Sequence, residues 1–255
     1  MIKRKTASGL GFAVSAWPLW AGRPTVVFVH GAGGSSLLWR AQLDGLADRL
    51  NAVAIDLPGH GDRPGPGRES IAEYAQVVAG FVDELGLDRP VLAGLSMGGA
   101  IVQESLLSWP EKYRAGILIS TGARLRVMPL IFETIEKDFN AYVQMSVKFA
   151  ASPKTDPALL AEVQEDTARR EPKVTLGDFR ACDAFDVRER LPELRVPVLV
   201  LSGEDDQLTP KKYSDYLESN IPGARRVHLL DAGHLLPVEK ADEVNQAIAE
   251  FVRGL

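Results

Sequence analysis

Pro90-Val91-Leu92-Ala93-Gly94-Leu95-Ser96-Met97-Gly98-Gly99 holds the fold in miniature. A short apolar run reads as a buried strand, and the segment after it keeps a helical pattern to Trp109, where Pro110 closes it. Between them lies Gly94-x-Ser96-x-Gly98. A serine on such a sharp strand-to-helix turn has its hydroxyl lifted above the sheet edge, and the flanking glycines leave room for the turn. The helix start also offers N–H groups without intrahelical acceptors, which suit an oxyanion. Alone, G-x-S-x-G is a weak signal, because a plain turn with a capping serine uses the same residues. With a strand before it and a helix after it, the motif points to a nucleophile.

Outward from this turn the alternation repeats. Downstream, residues 115–120 read as a strand. Upstream, 52–55 form a buried strand ending at Asp56, and 25–29 a β-branched run ending at His30-Gly31. Residues 36–50 place Leu37, Leu38, Leu43, Leu46 and Leu50 at roughly helical spacing, and 11–17 alternate weakly, as an edge strand does. The proline- and glycine-rich 57–68 is a loop, with Pro58, Pro64 and Pro66; Ser70 and Glu73 then form a capping box for a helix that stops at Gly86. This pattern predicts an α/β fold, a mostly parallel central sheet with helices on both faces. Residues 122–185 break the rhythm with helical patterns at 127–149, 158–170 and 176–185. They read as an inserted helical cap, with the core made from 1–121 and 186–255. Alternation resumes with a strand at 196–201, a helix at 211–219, a strand at 225–230 and a closing helix at 237–253.

Composition excludes several classes. The chain has 255 residues and a formal net charge of −5, no long basic block stands out, and the short cluster Lys3-Arg4-Lys5 is too small to track a nucleic-acid backbone. The longest apolar runs, 26–29 and 196–201, are far too short to span a bilayer. The N-terminus faintly mimics an export signal, but its apolar part, 10–14, is short and flanked or broken by Gly9 and Gly11. A single cysteine, Cys182, forms no intrachain disulfide and fits a reducing compartment, so the expected location is cytoplasmic. No nucleic-acid or membrane partner is expected, and the oligomeric state is not legible.

A serine nucleophile needs a base. Of four histidines, His30 and His60 sit in glycine-rich loops, where bracing is the expected role, and His228 falls inside a strand. His234, in Asp231-Ala232-Gly233-His234, follows the last strand at the same sheet edge as Ser96. The base needs a carboxylate. Glu204, Asp205 and Asp206 all follow the 196–201 strand, and any of them could serve. His30 and His60 lack the i, i+4 spacing of a zinc protease, so no metal is expected. No Gly-Lys-Ser/Thr follows Gly31, Gly33 and Gly34, so no nucleotide or other cofactor is expected either.

The chain from about Thr25 onward resembles the α/β-hydrolase superfamily. The matching pieces are His30-Gly31-Ala32-Gly33-Gly34, Asp56-Leu57-Pro58-Gly59-His60-Gly61, Gly94-Leu95-Ser96-Met97-Gly98-Gly99, Gly203-x-x-Asp206-x-x-Thr209-Pro210 and Gly233-His234. The resemblance implies Ser96 as nucleophile, Asp206 as acid and His234 as base. It also implies an oxyanion hole from the backbone N–H groups of Ala32 and Met97. The closest likeness is to small bacterial serine carboxylesterases with a helical cap, which implies a small-molecule ester substrate of short to medium acyl chain and an acyl-enzyme intermediate. Carbon–carbon bond hydrolases of ring-cleavage products, lactonases, perhydrolases and non-catalytic binders share the fold. A serine at position 96 argues against dehalogenases and epoxide hydrolases, which resemble this chain but carry aspartate there. Ala32, in place of a third glycine after His30, argues against the hormone-sensitive-lipase-like branch. Met128, Ile131, Phe132, Ile135, Phe139, Met145 and Phe149 are expected to turn apolar faces to the pocket, or else to hold the cap together. Arg124, Arg126, Arg169, Arg170 and Arg180 are expected to meet an acidic substrate or, more simply, water. Cys182 is expected to be inert.

Overall fold

A computed structural model describes residues 1–61 and 65–255. Asp62, Arg63 and Pro64, part of the loop expected at 57–68, lie outside the described residues. The strands are β1 (Ile2–Lys5), β2 (Gly11–Val14), β3 (Thr25–Val29), β4 (Asn51–Ile55), β5 (Val91–Leu95), β6 (Ala115–Ile119), β7 (Val198–Gly203) and β8 (Arg225–Leu229). They form one eight-stranded sheet in the order β1-β2-β4-β3-β5-β6-β7-β8. β1 and β2 pair antiparallel at one edge, β2 pairs antiparallel with β4, and the remaining neighbours are parallel. The chain order reverses between β3 and β5. At such a switch point the loops beyond the carboxyl ends of the strands part to leave a crevice.

The two faces are covered as the side-chain alternation of the strands requires. Val27, Val29, Leu92, Leu118 and Val200 meet α2 (Ile71–Glu84) and α3 (Met97–Ser108) through Tyr74, Val78, Phe81, Ile101 and Val102. Val26, Phe28, Ala93, Ile117 and Leu199 face the opposite layer, where Leu43 of α1 (Arg40–Gly45) packs. Between β6 and β7 run α4 (Pro129–Lys137), α5 (Phe139–Ala150), α6 (Pro157–Ala168) and α7 (Pro172–Ala184). After β7 come α8 (Lys211–Asn220), the single-turn α9 (Leu236–Glu239) and α10 (Ala241–Arg253). α10 presents Val244, Ile248, Phe251 and Val252 at helical spacing to the second layer.

The elements differ from the sequence reading in several places; the strand expected at the edge over 11–17 is β2, which ends at Val14 and lies inside the sheet between β1 and β4. The 36–50 segment is a 3₁₀ turn (Ser36–Trp39) followed by the short α1, and the chain leaves helix beyond Gly45. The 127–149 pattern is two helices. Asp138 leaves helical geometry (φ −155°, ψ 91°) and caps α5 by accepting from the Ala141 N–H at 3.0 Å. The closing helix breaks at Lys240 (φ −135°). The basic N-terminus forms the fully exposed edge strand β1, and its lysines and arginine blunt a free sheet edge. Among the described residues no helix is long and apolar enough to cross a membrane.

Candidate active site

Ser96 sits between β5 and α3 at φ 55°, ψ −116°, in the left-handed region that an L-residue rarely adopts. Its N–H donates to Ile119 O at 2.9 Å, and its carbonyl accepts from Thr121 Oγ1 at 2.7 Å. The glycines of the motif are there for contact. A Cβ on Gly94 would lie 2.2 Å from Gly98 O, and one on Gly98 only 2.1 Å from Val29 O. Met97 opens α3 and is buried, so its N–H belongs to a first helical turn with no intrahelical acceptor. The β3 loop passes alongside: a Cβ on Gly31 would be 3.4 Å from Ser96 Cβ.

Asp206 and His234, the expected acid and base, meet across the loops after β7 and β8. His234 Nδ1 lies 2.9 Å from Asp206 Oδ2 and 3.1 Å from Oδ1, and both side chains are buried. The Leu208 and Thr209 N–H groups each donate to Asp206 Oδ1 at 2.9 Å, and Thr209 Oγ1 donates to Oδ2 at 2.7 Å. With Nδ1 on the carboxylate, Nε2 of His234 is left as the face of the ring for a substrate or a serine. Of the three clustered acids, Asp206 is the one that reaches His234. Asp205 accepts from Ser152 Oγ at 2.5 Å, and Glu204 is exposed. Gly203 lets the two loops close, since a Cβ there would sit 2.4 Å from the carbonyls of Ala232 and Gly233.

Burial alone would raise the Asp206 carboxyl. The charge of His234, their hydrogen bond and the Thr209 donors outweigh burial and hold it down to about 2. The ionised carboxylate is therefore favoured by folding. It contributes stability above the unfolded-state value of about 3.9, and that contribution disappears as pH falls toward about 2. The amount is about 2–3 kcal/mol. We expect the urea midpoint to drop between about pH 4 and pH 2 and the drop to be shallower in Asp206→Asn. Parallel pH profiles for the two proteins count against this coupling.

A second buried polar cluster lies under the β3 loop. His30 Nδ1 and Gly31 O are 2.8 Å apart, and the Leu57 N–H donates to His30 Nε2 at 3.2 Å. This fixes His30 as a neutral ring with the proton on Nδ1. Burial first, then the charge on His60, keeps His30 well below the usual imidazole range. His60 faces acceptors with both nitrogens: Pro58 O at 2.9 Å from Nδ1 and Asp178 Oδ2 at 2.8 Å from Nε2. Burial opposes its charge, but the Asp178 carboxylate and the hydrogen bonds raise its proton affinity above the ordinary value. The Asp178 oxygens also accept from the Gly33 N–H at 2.8 Å and the Tyr74 hydroxyl at 2.6 Å.

Sequence reasoning missed Asp178 and Glu239. Asp178 lies on α7 and is fully buried. Glu239 ends α9, and its carboxylate accepts from Gly233 N–H (2.9 Å), Leu235 N–H (2.8 Å), Ser152 N–H (2.8 Å) and Thr155 Oγ1 (2.6 Å). The His234 N–H donates to Ala150 O at 2.6 Å. The segment between α5 and α6 is thus bonded directly to the histidine loop. No local pattern announces either acid, because their partners are distant in sequence.

The remaining expected residues are placed as follows. Ala32 is half-buried in the β3 loop. Ile135 is buried with Tyr142 and Val143, and Ile131 and Phe139 pack on them, so these three hold the helical insertion together. Met128 and Phe149 are 61% and 53% exposed; Phe132 and Met145 are half-buried outside that cluster. Arg170 is buried rather than solvated, paired with Asp166 at 2.8 Å and donating to Gly61 O at 2.6 Å. Arg124, Arg169 and Arg180 form surface ion pairs with Asp186, Glu165 and Glu69. Cys182 is buried, which pushes its thiol up, and His228 meets Ser202 Oγ at 2.9 Å. A cavity of about 1380 Å³ opens at the amino ends of β3, β4 and β5, and none of these residues lines it.

Comparison with known proteins agrees with this fold. The carboxylesterase YbfK of Bacillus subtilis is 26% identical over 242 residues, covering 91% of this chain and 81% of its own. A thermophilic esterase from Thermogutta terrifontis superposes with a TM-score of 0.86 at 25% identity, covering 99% of this chain and 98% of its own. The enol-lactonase from Burkholderia xenovorans LB400 shares the fold, with a TM-score of 0.90 at 22% identity over 99% of this chain and all of its own. The model of the alpha/beta hydrolase family matches residues 26–247, and the chain belongs to that family.

Proposed function

We propose that the protein is a serine carboxylesterase acting on small-molecule esters of short to medium acyl chain. The observation that carries this is the strained Ser96 at the same sheet edge as the buried Asp206–His234 pair. Ser96 Oγ attacks the ester carbonyl while His234 Nε2 takes its proton, and Asp206 stabilises the imidazolium. The Ala32 and Met97 N–H groups receive the oxyanion; removal of one such donor typically costs about 10²–10³ in rate. His234 then protonates the departing alcohol, and water attacks the acyl-serine to release the acid and restore Ser96. Residues 122–185 act as the cap over this mouth, with Phe132 and Met145 turned to the acyl chain. A lone, buried cysteine fits a cytoplasmic protein.

A panel of p-nitrophenyl esters of increasing acyl length, set beside a vinylogous diketone, tests the reading. We expect turnover of the short and medium esters and none of the diketone. Phe132→Ala and Met145→Ala should shift the length preference more than the peak rate. Turnover of the diketone alone overturns the ester assignment in favour of carbon–carbon cleavage.

A further inference from the structure

The oxyanion donor assigned to Ala32 shares a peptide plane with the Gly31 carbonyl. In a trans peptide the two point in opposite directions, so whatever fixes the carbonyl aims the N–H. Gly31 O accepts from Gly34 N–H at 3.2 Å and from His30 Nδ1–H at 2.8 Å. The Leu57 N–H, donating to His30 Nε2, selects the neutral ring whose proton sits on Nδ1; a proton on Nε2 would set two donors against each other and push the ring out of the seat from which it holds Gly31 O. His60 stands against His30, with ring centroids 4.7 Å apart, and both of its nitrogens face acceptors, so it carries the positive charge of the pair. A cation there makes a second one on His30 unfavourable. Asp178 supplies the countercharge. It is also the acceptor for Gly33 N–H, one peptide beyond Ala32, where the backbone turns through φ +69°.

We propose that Asp178 is a positioning residue of the oxyanion hole, acting from the cap through His60 and Gly33 on the peptide joining Gly31 to Ala32. This rests on the esterase reading and on Ala32 as donor. The ordinary function of a buried acid between two layers is a strut, and the neighbouring tie from Ser35 Oγ to Asp166 on α6, at 2.6 Å, fits that description. Asp178 differs because its partners lead to the reacting loop. The direct bond runs over a sequence separation of 145 residues, from the cap to the loop after β3. Capping and charge placement are therefore one device: the cap cannot leave its seat without freeing the Gly33 amide and the charge on His60.

The test is Asp178→Asn, assayed with p-nitrophenyl acetate per serine titrated to completion with a phosphonate. We expect kcat to fall roughly 10–100-fold with KM within about twofold, the scale of a misaimed rather than deleted donor. In the wild type, nitrogen-resolved NMR at about pH 7, just above the ordinary imidazole value, should show two ring N–H protons on His60, and in Asp178→Asn one. Ser35→Ala cuts the adjacent strut and should lower the melting temperature while kcat per labelled serine stays near wild type. An Asp178→Asn protein with wild-type kcat per labelled serine overturns the proposal, as does an equal kcat loss in Ser35→Ala. If Asp178→Asn does not fold, His60→Gln decides: lower kcat at unchanged KM supports the device, and wild-type kcat overturns it. Ser96→Ala separates the two levels. An active Ser96→Ala removes the esterase reading itself, whereas an inactive one beside an unaffected Asp178→Asn removes only this inference.

Discussion

Ser96→Ala should reduce kcat for p-nitrophenyl acetate by a factor on the order of 10⁵–10⁶, the loss seen when a triad member that acts as part of a unit is deleted. The fold should not notice. Ser96 is half-buried, and its strain belongs to the backbone, which Gly94 and Gly98 allow and which alanine inherits. A substitution of this kind falls within about 0.5 kcal/mol, so the melting temperature should move by no more than about 2 °C. A phosphonate should label the wild type once and the variant not at all. Near-wild-type turnover in Ser96→Ala sinks the assignment.

Asp206→Asn should cost up to roughly 10⁴ in kcat, through the histidine rather than through substrate contact. An asparagine amide turned toward Nδ1 would force the proton onto Nε2, where the attacking hydroxyl needs a lone pair. The neighbouring acids make the internal controls. Asp205→Asn weakens only the bond from Ser152 Oγ and should cost far less. Glu204→Gln alters an exposed side chain and should cost almost nothing. A crippled Asp205→Asn beside a mild Asp206→Asn would show that the register of this loop has been misread by one residue.

Much of this was legible in the sequence because the signals were local. The strands β3, β4, β5 and β7 are apolar along most of their length, with polar residues only at their ends (Thr25, Asn51 and Ser202), as a sheet covered on both faces demands. Gly94 and Gly98 declare a turn whose crowding is between near neighbours. What stayed hidden was set by distant atoms. The apolar periodicity of 127–149 continues through Asp138, so the break shows only when that side chain is seen capping the next helix. β1 offers Lys3, Arg4 and Lys5 and no apolar face, and it is a strand only because β2 is there to pair with it. Asp178 and Glu239 look like ordinary helical acids until the chain folds Gly33, His60, Gly233 and Ser152 around them.

The short segment from Ala150 to Thr155 bears on protein engineering. Exchanging caps between relatives is an obvious route to new substrate preference, and cuts near 122 and 185 look clean on the chain. Such a graft would discard the Ala150 carbonyl that holds the His234 amide, together with the Ser152 and Thr155 partners of Glu239. It would also bring an unmatched backbone against Gly233, where a Cβ would already lie 2.5 Å from Ala150 O. A transplant that keeps the host's own 150–155 and replaces only the helices on either side preserves the seat of the base, and recombination between relatives is subject to the same boundary.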